Sequence, residues 1–332
     1  MLRRVARWSP GNTAMKSKSR FAFAILCLVF FVLETQAQNR ALDRSVQREV
    51  AVTFDDLPAS GDLETMTYIT QRLLKSLTDN KIPAIGFVNE RRLFMRGETE
   101  RRIALLQMWL DAGMELGNHT FSHILIERNS LEAYKEDVIR GETVTAMLLR
   151  EKGLKLRYFR HTQLRTGPTT EYQLGLNKFL IERGYTIAPV TLDNQEWVFA
   201  GAYRGARNSD DRTQMKRVGE AYIKYMDENL AFFENLSRDF LGYEVKQTLL
   251  LHANELNADY FDELVKLMRK RGYTFVSLED ALKDKAYSLP EAQSKMGLSW
   301  IHRWMLAKGL EMRAEPPEPE WIANLNRSYS RQ

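Results

Sequence analysis

The chain has 332 residues and a formal net charge of +5, but residues 1 to 37 carry six Lys or Arg against one Glu, which leaves 42 basic and 42 acidic residues beyond them. That neutral remainder lacks the basic footprint required by nucleic acid or an anionic membrane, so a neutral sugar polymer is the better-matched partner. The only cysteine, Cys27, lies within the same N-terminal stretch, so no disulfide is possible after it.

Lys16, Lys18 and Arg20 precede an apolar run from Phe21 to Leu33, and Thr35-Gln36-Ala37 offers a small-residue cleavage site. This is the layout of a secretory signal peptide over residues 1–37, with Met15 as an alternative start. The run is shorter than the roughly 20 residues that span a bilayer, so cleavage rather than stable membrane insertion is expected. The mature chain is expected to be exported, to the periplasm or the medium, with 38–49 as an N-terminal segment.

From there, short apolar strands alternate with amphipathic helices. Val50 to Phe54 reads as a buried strand ending at Asp55-Asp56, Leu63 to Asn80 as a helix, and Pro83 to Val88 as the next strand. Thr99 to Ala112 is helical with Gly113 as its cap, Met114 to Gly117 a short strand, and Leu131 to Arg150 one long helix. Leu156 to Arg160, Thr186 to Leu192, Thr248 to Leu251 and Tyr273 to Val276 are strands. Tyr172 to Arg183, Asp211 to Leu236, Asp259 to Arg271 and a short stretch capped by Ser277 are helices. Such alternation forces parallel pairing through right-handed crossovers. The fold class is therefore α/β: a distorted (β/α) barrel of about seven parallel strands forming a single catalytic domain. Beyond Leu282, Trp300 and Trp304 pack a helix-like stretch, and Glu315 to Glu320 is an acidic, proline-broken strap.

A barrel carries its functional residues at the C-terminal ends of its strands. Asp55, Asp56, His119, His123, Arg160, Asp193 and His252 all follow apolar runs at such places. His119 and His123, four residues apart, present two imidazoles on one face if that stretch is a helical turn. A carboxylate from the Asp55-Asp56 pair, splayed into the same cavity by the turn at Leu57-Pro58, completes a set that leaves coordination positions open, as in catalytic zinc sites. One aspartate then binds metal and the other is free to act as base. An isolated Asp-Asp pair is more often a solvated turn and an isolated histidine pair more often decoration; the coincidence of both at strand ends favours a site. His161 reads as a hydrogen-bonded loop histidine.

With these residues assembled, the sequence resembles the polysaccharide deacetylase family, carbohydrate esterase family 4, over roughly 50–284, followed by a C-terminal helix and tail over 285–332. The resemblance rests on Thr53-Phe54-Asp55-Asp56, on His119-Thr120-Phe121-Ser122-His123 and on Leu249-Leu250-Leu251-His252. It implies a divalent metal, zinc first and cobalt or another ion as alternatives, held by Asp56, His119 and His123. It further implies Asp55 as base, His252 as acid, Arg160 as the ion-pair partner of Asp55, and Asp193 as a support of the acid-base network. Trp197 and Gln163 would line the sugar groove and Leu249 the acetyl pocket. The implied reaction is removal of N- or O-linked acetyl groups from a glycan, with metal-activated water as nucleophile. The chain departs from the family where Arg160-His161-Thr162-Gln163 replaces the usual proline and aromatic after the arginine. That departure motivates a second expectation, a non-catalytic glycan-binding protein on the same fold. A non-heme iron oxygenase is a third, since two histidines and a carboxylate also suit iron(II). The sequence carries no signal of oligomeric state.

Overall fold

The structure is a computed structural model that describes residues 48–330. The expected signal segment, with Met15 and Cys27, lies outside the described residues. Within them run strands β1 (Arg48–Leu57), β2 (Ala84–Val88), β3 (Glu115–Asn118), β4 (Tyr158–Phe159), β5 (Thr186–Ile187), β6 (Gln247–His252) and β7 (Tyr273–Phe275). The helices are α1 (Leu63–Asn80), α2 (Thr99–Asp111), α3 (Leu131–Arg140), α4 (Thr143–Glu151), α5 (Thr170–Glu182), α6 (Glu196–Asn208), α7 (Arg212–Leu241), α8 (Glu255–Lys270), α9 (Leu278–Ala281), α10 (Trp300–Ala307) and α11 (Glu320–Ser330). No helix among the described residues is long and apolar enough to cross a membrane.

All strand pairs are parallel, in the order β5-β4-β3-β2-β1-β6. Val50 pairs with both Gln247 of β6 and Phe275 of β7, so β7 occupies the same edge of β1 as β2, below the point where β2 begins. The ring closes irregularly: the chain leaves β5 and reaches across to β6, where Leu192 bridges Leu249 and its N–H bonds to Thr248 O at 3.0 Å. This reach explains why β4 and β5 are only two residues long where longer strands are expected from sequence. The barrel is distorted because one segment serves both as a strand and as the closure.

Side chains alternate across a strand, and β1 uses both faces. Val50, Val52 and Phe54 point outward under the helices, where Phe54 meets Trp109 and Phe261 edge-to-face at 5.6 and 5.5 Å. Ala51 packs in the lumen with Ile85, Phe87, Tyr158 and Ala188, and Leu278 and Ala281 of α9 join the same cluster. Thr53 and Asp55 continue that inward face, which aims Asp55 up the barrel axis.

The expected Leu131–Arg150 helix is two helices, α3 and α4. A Cβ on Gly141 at the break would lie 2.7 Å from the backbone of Thr120, so α3 ends pressed against the loop that carries the histidine pair. Helix α6 is absent from the sequence reading because Gly201 and Gly205 dilute its helical pattern. Those glycines have a packing role: Cβ atoms there would lie 2.1 Å from Asn326 Oδ1 and 2.0 Å from Tyr329, so α11 docks directly against the backbone of α6. Trp300 and Trp304 are buried, as expected for a helix packed on the barrel.

Filling that groove should overpack it. Gly205→Val is expected to lower stability by about 1–3 kcal/mol and to expose α11 to early proteolysis; an unchanged melting temperature with α11 still protected would contradict the docking.

Candidate metal centre and catalytic cavity

Residues 55 and 56 would face opposite sides of an ideal strand. Asp56 instead adopts φ +72°, in the left-handed region that Asp tolerates better than most residues, and the β1–β2 register shifts between Phe54 and Leu57. This bulge inside β1, rather than the turn at Leu57-Pro58, brings both carboxylates to one cavity. Asp55 is buried, with Oδ1 3.4 Å from Arg160 Nη1 and Oδ2 3.6 Å from His119 Nε2. Burial pushes its carboxyl above the ordinary value, against the opposing pull of the Arg160 charge. Arg160 is fixed in turn: Nε donates to Ala188 O at 2.8 Å, Nη2 to Thr53 Oγ1 at 3.0 Å, and the guanidinium lies 4.6 Å from the centre of the Phe87 ring. The ion pair expected between Arg160 and Asp55 is present.

The histidine pair is not on a helix. His119 directly follows β3, and the loop after it turns through Thr120 at φ +65° and His123 at φ +55°. Asn118 holds this loop by accepting from Thr120 N–H at 2.7 Å, and Asp137 accepts from the N–H and hydroxyl of Ser122, both at 2.9 Å. The imidazole centroids end 5.0 Å apart. His119 Nδ1 lies 2.9 Å from Arg160 O, so the other nitrogen, Nε2, faces the cavity. Burial pulls both histidines down to about 4, which keeps them neutral with a lone pair available near pH 7.

Asp56 Oδ1 lies 3.9 and 3.7 Å from Nε2 of His119 and His123, and Asp56 Oδ2 lies 3.1 Å from Arg92 Nη2. Burial raises the Asp56 carboxyl, but Arg92 and the histidines outweigh it and hold it well below the usual carboxylate range. One donor atom from each of Asp56, His119 and His123 lies within 4.8 Å of the others. Asp56 Oδ1 is buried without a hydrogen-bond partner. Two neutral imidazoles and an ionised carboxylate with an orphaned oxygen fit a divalent cation.

Across the cavity, His252 ends β6. Its Nδ1 lies 2.9 Å from Glu196 Oε2, and the other Glu196 oxygen accepts from Asn254 and, at 3.0 Å, from Asn257. Burial alone would lower the imidazole; the hydrogen bond and charge of Glu196, with the two aspartates, raise it to about 9. The carboxylate that His252 touches is thus Glu196, while Asp193, expected to support His252, stands in the same cavity without contacting the ring. Asp193 accepts from Asn194 N–H at 2.8 Å and lines the cavity, pushed up to about 7 by burial and the charge of Glu315. The cue lay in the pair Glu196-Trp197, which places the carboxylate one residue before the groove tryptophan.

Leu249 is the second correction. It is fully buried in the closure against Leu192, while Leu250, two residues before His252 and so on its face of the strand, lines the cavity. Trp197, 55% exposed, and Gln163 stand in the cavity wall as expected. The cavity has a volume of about 430 Å³ and also takes in Asp55, Asp56, His119, His123 and His252.

The altered stretch after Arg160 is supported from the C-terminal segment. Gln163 and Leu164 both have φ +53°, and the fully buried Arg303 donates to Leu164 O at 2.6 Å and Thr166 Oγ1 at 3.2 Å. Gly297 lies so close that a Cβ would meet Gln163 O at 2.2 Å. His161 is not a hydrogen-bonded loop histidine: it is fully buried, neither ring nitrogen has a partner, and it packs against Phe159 at 5.3 Å and Trp300 at 6.4 Å. Burial and nearby Arg303 pull it down to about 3, so it serves as a neutral aromatic filler.

Residues 43–174 match the polysaccharide deacetylase family model. A peptidoglycan-N-acetylglucosamine deacetylase of Bacillus cereus is 27% identical over 150 residues, 45% of this chain and 46% of that protein, so the match spans less than half of that relative. Among solved structures, a family 4 carbohydrate esterase from Streptomyces lividans in complex with acetate shows 19% identity and a TM-score of 0.47, over 71% of this chain and 97% of that one. The chitin deacetylase of Colletotrichum lindemuthianum gives 19% and 0.49, over 72% and 89%. A CE4 family pseudoenzyme from Bacillus anthracis gives 15% and 0.47, over 72% and 66%. Residues 43–174, which carry Asp55, Asp56, His119, His123 and Arg160, are thus similar to the polysaccharide deacetylase family.

Proposed function

We propose that this chain is a metal-dependent hydrolase that removes acetyl groups, amide- or ester-linked, from a polysaccharide or oligosaccharide outside the cytoplasm. The observation that carries this reading is one cavity that joins three metal-ligating donors to a buried Asp55 held by Arg160 and a His252 held by Glu196. Export rests on the signal-like N-terminal sequence.

Asp56, His119 and His123 would hold the cation, with zinc the first choice and cobalt or another divalent ion compatible with the same donors. Bound there, such an ion supplies Lewis acidity toward an acetyl carbonyl and lowers the pKa of an adjacent water. Asp55 accepts the proton of the attacking water, and Arg160 keeps its carboxylate oriented toward the cavity. His252, bound to Glu196 through Nδ1, presents Nε2–H to the leaving nitrogen or oxygen; at about 9 its pKa keeps that proton on the ring at neutral pH. Trp197 offers an exposed aromatic face for a sugar ring, and Leu250 an apolar wall for the acetyl methyl. A base and a separate acid in one cavity suit hydrolysis better than oxygen chemistry. The non-catalytic alternative draws on the altered residues after Arg160 and predicts glycan binding without acetate release.

The two aspartates separate the roles. Asp56→Ala, His119→Ala and His123→Ala are each expected to lose bound metal by elemental analysis, whereas Asp55→Asn should keep metal and lose at least about a hundredfold in kcat. Equal metal loss in all four would overturn the assignment.

The pH dependence has a stated sign. A base must be ionised and Asp55 is raised, so the acid limb of kcat should lie above the ordinary 3.8. An acid must be protonated and the hydrogen bond and charge of Glu196 raise His252, so kcat should fall with rising pH along a limb above the ordinary 6.5. A bound cation offsets the contribution of the two aspartates, leaving Glu196 as the part a variant isolates. Glu196→Gln should move the alkaline limb down toward the ordinary 6.5, and an unmoved limb would show that His252 is not the acid.

A further inference from the structure

The strongest feature that the catalytic roles leave unused is a second cavity of about 410 Å³ that shares His123 with the first. The two walls differ in charge. The catalytic cavity is lined by Asp55, Asp56 and Asp193, whereas the second is lined by Arg91, Arg92 and Arg102 and by no carboxylate. Arg92 is engaged by Asp56 and Arg102 by Glu98. Arg91 is exposed with no carboxylate in ion-pair range among the described residues, and the same holds for Arg140, whose guanidinium lies 4.1 Å from the centre of the Phe121 ring. Arg91 therefore brings a free cation to the wall of the second cavity, and Arg140 brings another to the Phe121 ring that lines it.

An apolar surface accompanies them. Phe94 is 52% exposed and its ring lies 5.9 Å from that of Phe121. The geometry is fixed rather than incidental: Arg91 N–H donates to Phe121 O at 2.9 Å, which ties the segment after β2 to the loop of the histidine pair. The exposed Phe94 ring beside guanidinium groups suits a sugar ring that carries an anionic substituent, because the sugar packs on the aromatic face while the planar fork of arginine meets a carboxylate with two donors.

We propose that the substrate is an anionic glycan, in which the unit next to the acetylated sugar on the His123 side bears a carboxylate that Arg91 and Arg140 receive. This rests on the deacetylase reading and names its substrate class. It also revises the expectation drawn from charge: residues 38–332, formally neutral, present a locally cationic groove at the mouth of the site.

The test compares an N-acetylated oligosaccharide containing uronic acid units with its carboxyl-reduced counterpart, identical except for the charge, using the zinc-supplied chain. The wild type should show a KM about five- to tenfold lower for the charged glycan, the gap shrinking as salt rises from about 0.05 to 0.5 M. In Arg91→Gln/Arg140→Gln the ratio of the two KM values should fall to near one, a readout that a general loss of folded protein does not move. Equal KM values in the wild type, or a preference that survives both substitutions, would overturn the proposal. Should neither glycan release acetate, the wider panel of acetylated glycans decides the deacetylase reading separately. Titration calorimetry with the same pair still decides the groove: tighter binding of the charged glycan, lost in the double variant, supports it, and equal binding overturns it.

Discussion

Consecutive residues on a strand face opposite ways, and the site exists because that rule is broken at Asp56. The inward face of β1 carries Ala51 and Thr53 through the lumen and delivers Asp55 beside Arg160. Without the left-handed turn at Asp56, its carboxylate would point under the helices with Phe54, where an unpaired charge is costly. With it, one strand end brings both carboxylates into one cavity. The cost of a non-glycine residue at positive φ is accepted where surrounding contacts fix it, and here Arg92 binds both the carboxylate and the carbonyl of Asp56, the latter at 3.1 Å.

Charge balance then assigns the remaining roles. Three carboxylates and three histidines share the cavity, and their surroundings tune them differently. Arg160 faces Asp55, Arg92 faces Asp56, burial keeps His119 and His123 neutral, and Glu196 keeps His252 charged. The histidines are thereby driven to opposite protonation states, which suits the proposed acid beside a set of metal ligands. The C-terminal segment belongs to this construction. Arg303 and Gly297 shape the wall formed by Gln163 and Leu164, and α11 lies along α6, the helix that begins with Glu196 and Trp197.

Much of this was legible in the sequence. Strand and helix alternation identified the parallel barrel, and polar residues at the ends of apolar runs located Asp55, Asp56, His119, His123, Arg160 and His252. What escaped was local geometry with no periodic signal. The histidine spacing reads as a helical turn but is met by a loop with two left-handed residues. The partner of His252 is Glu196 because that residue opens a helix hidden by Gly201 and Gly205. Leu249 and Leu250 differ only by the alternation of one strand, and a one-residue error exchanges a closure contact for a pocket wall. Overall neutrality, similarly, says nothing about the local surplus at Arg91 and Arg140.

On the proposed reading, this cavity removes acetyl groups with the help of a divalent ion. The measurement that tests it most directly is acetate release from a panel of N- and O-acetylated glycans, by the chain stripped with chelator and then resupplied with zinc. Stripping should abolish release, and zinc should restore it on at least one glycan. Bound metal with no acetate released from any member of the panel would contradict the proposal and favour the non-catalytic glycan-binding reading.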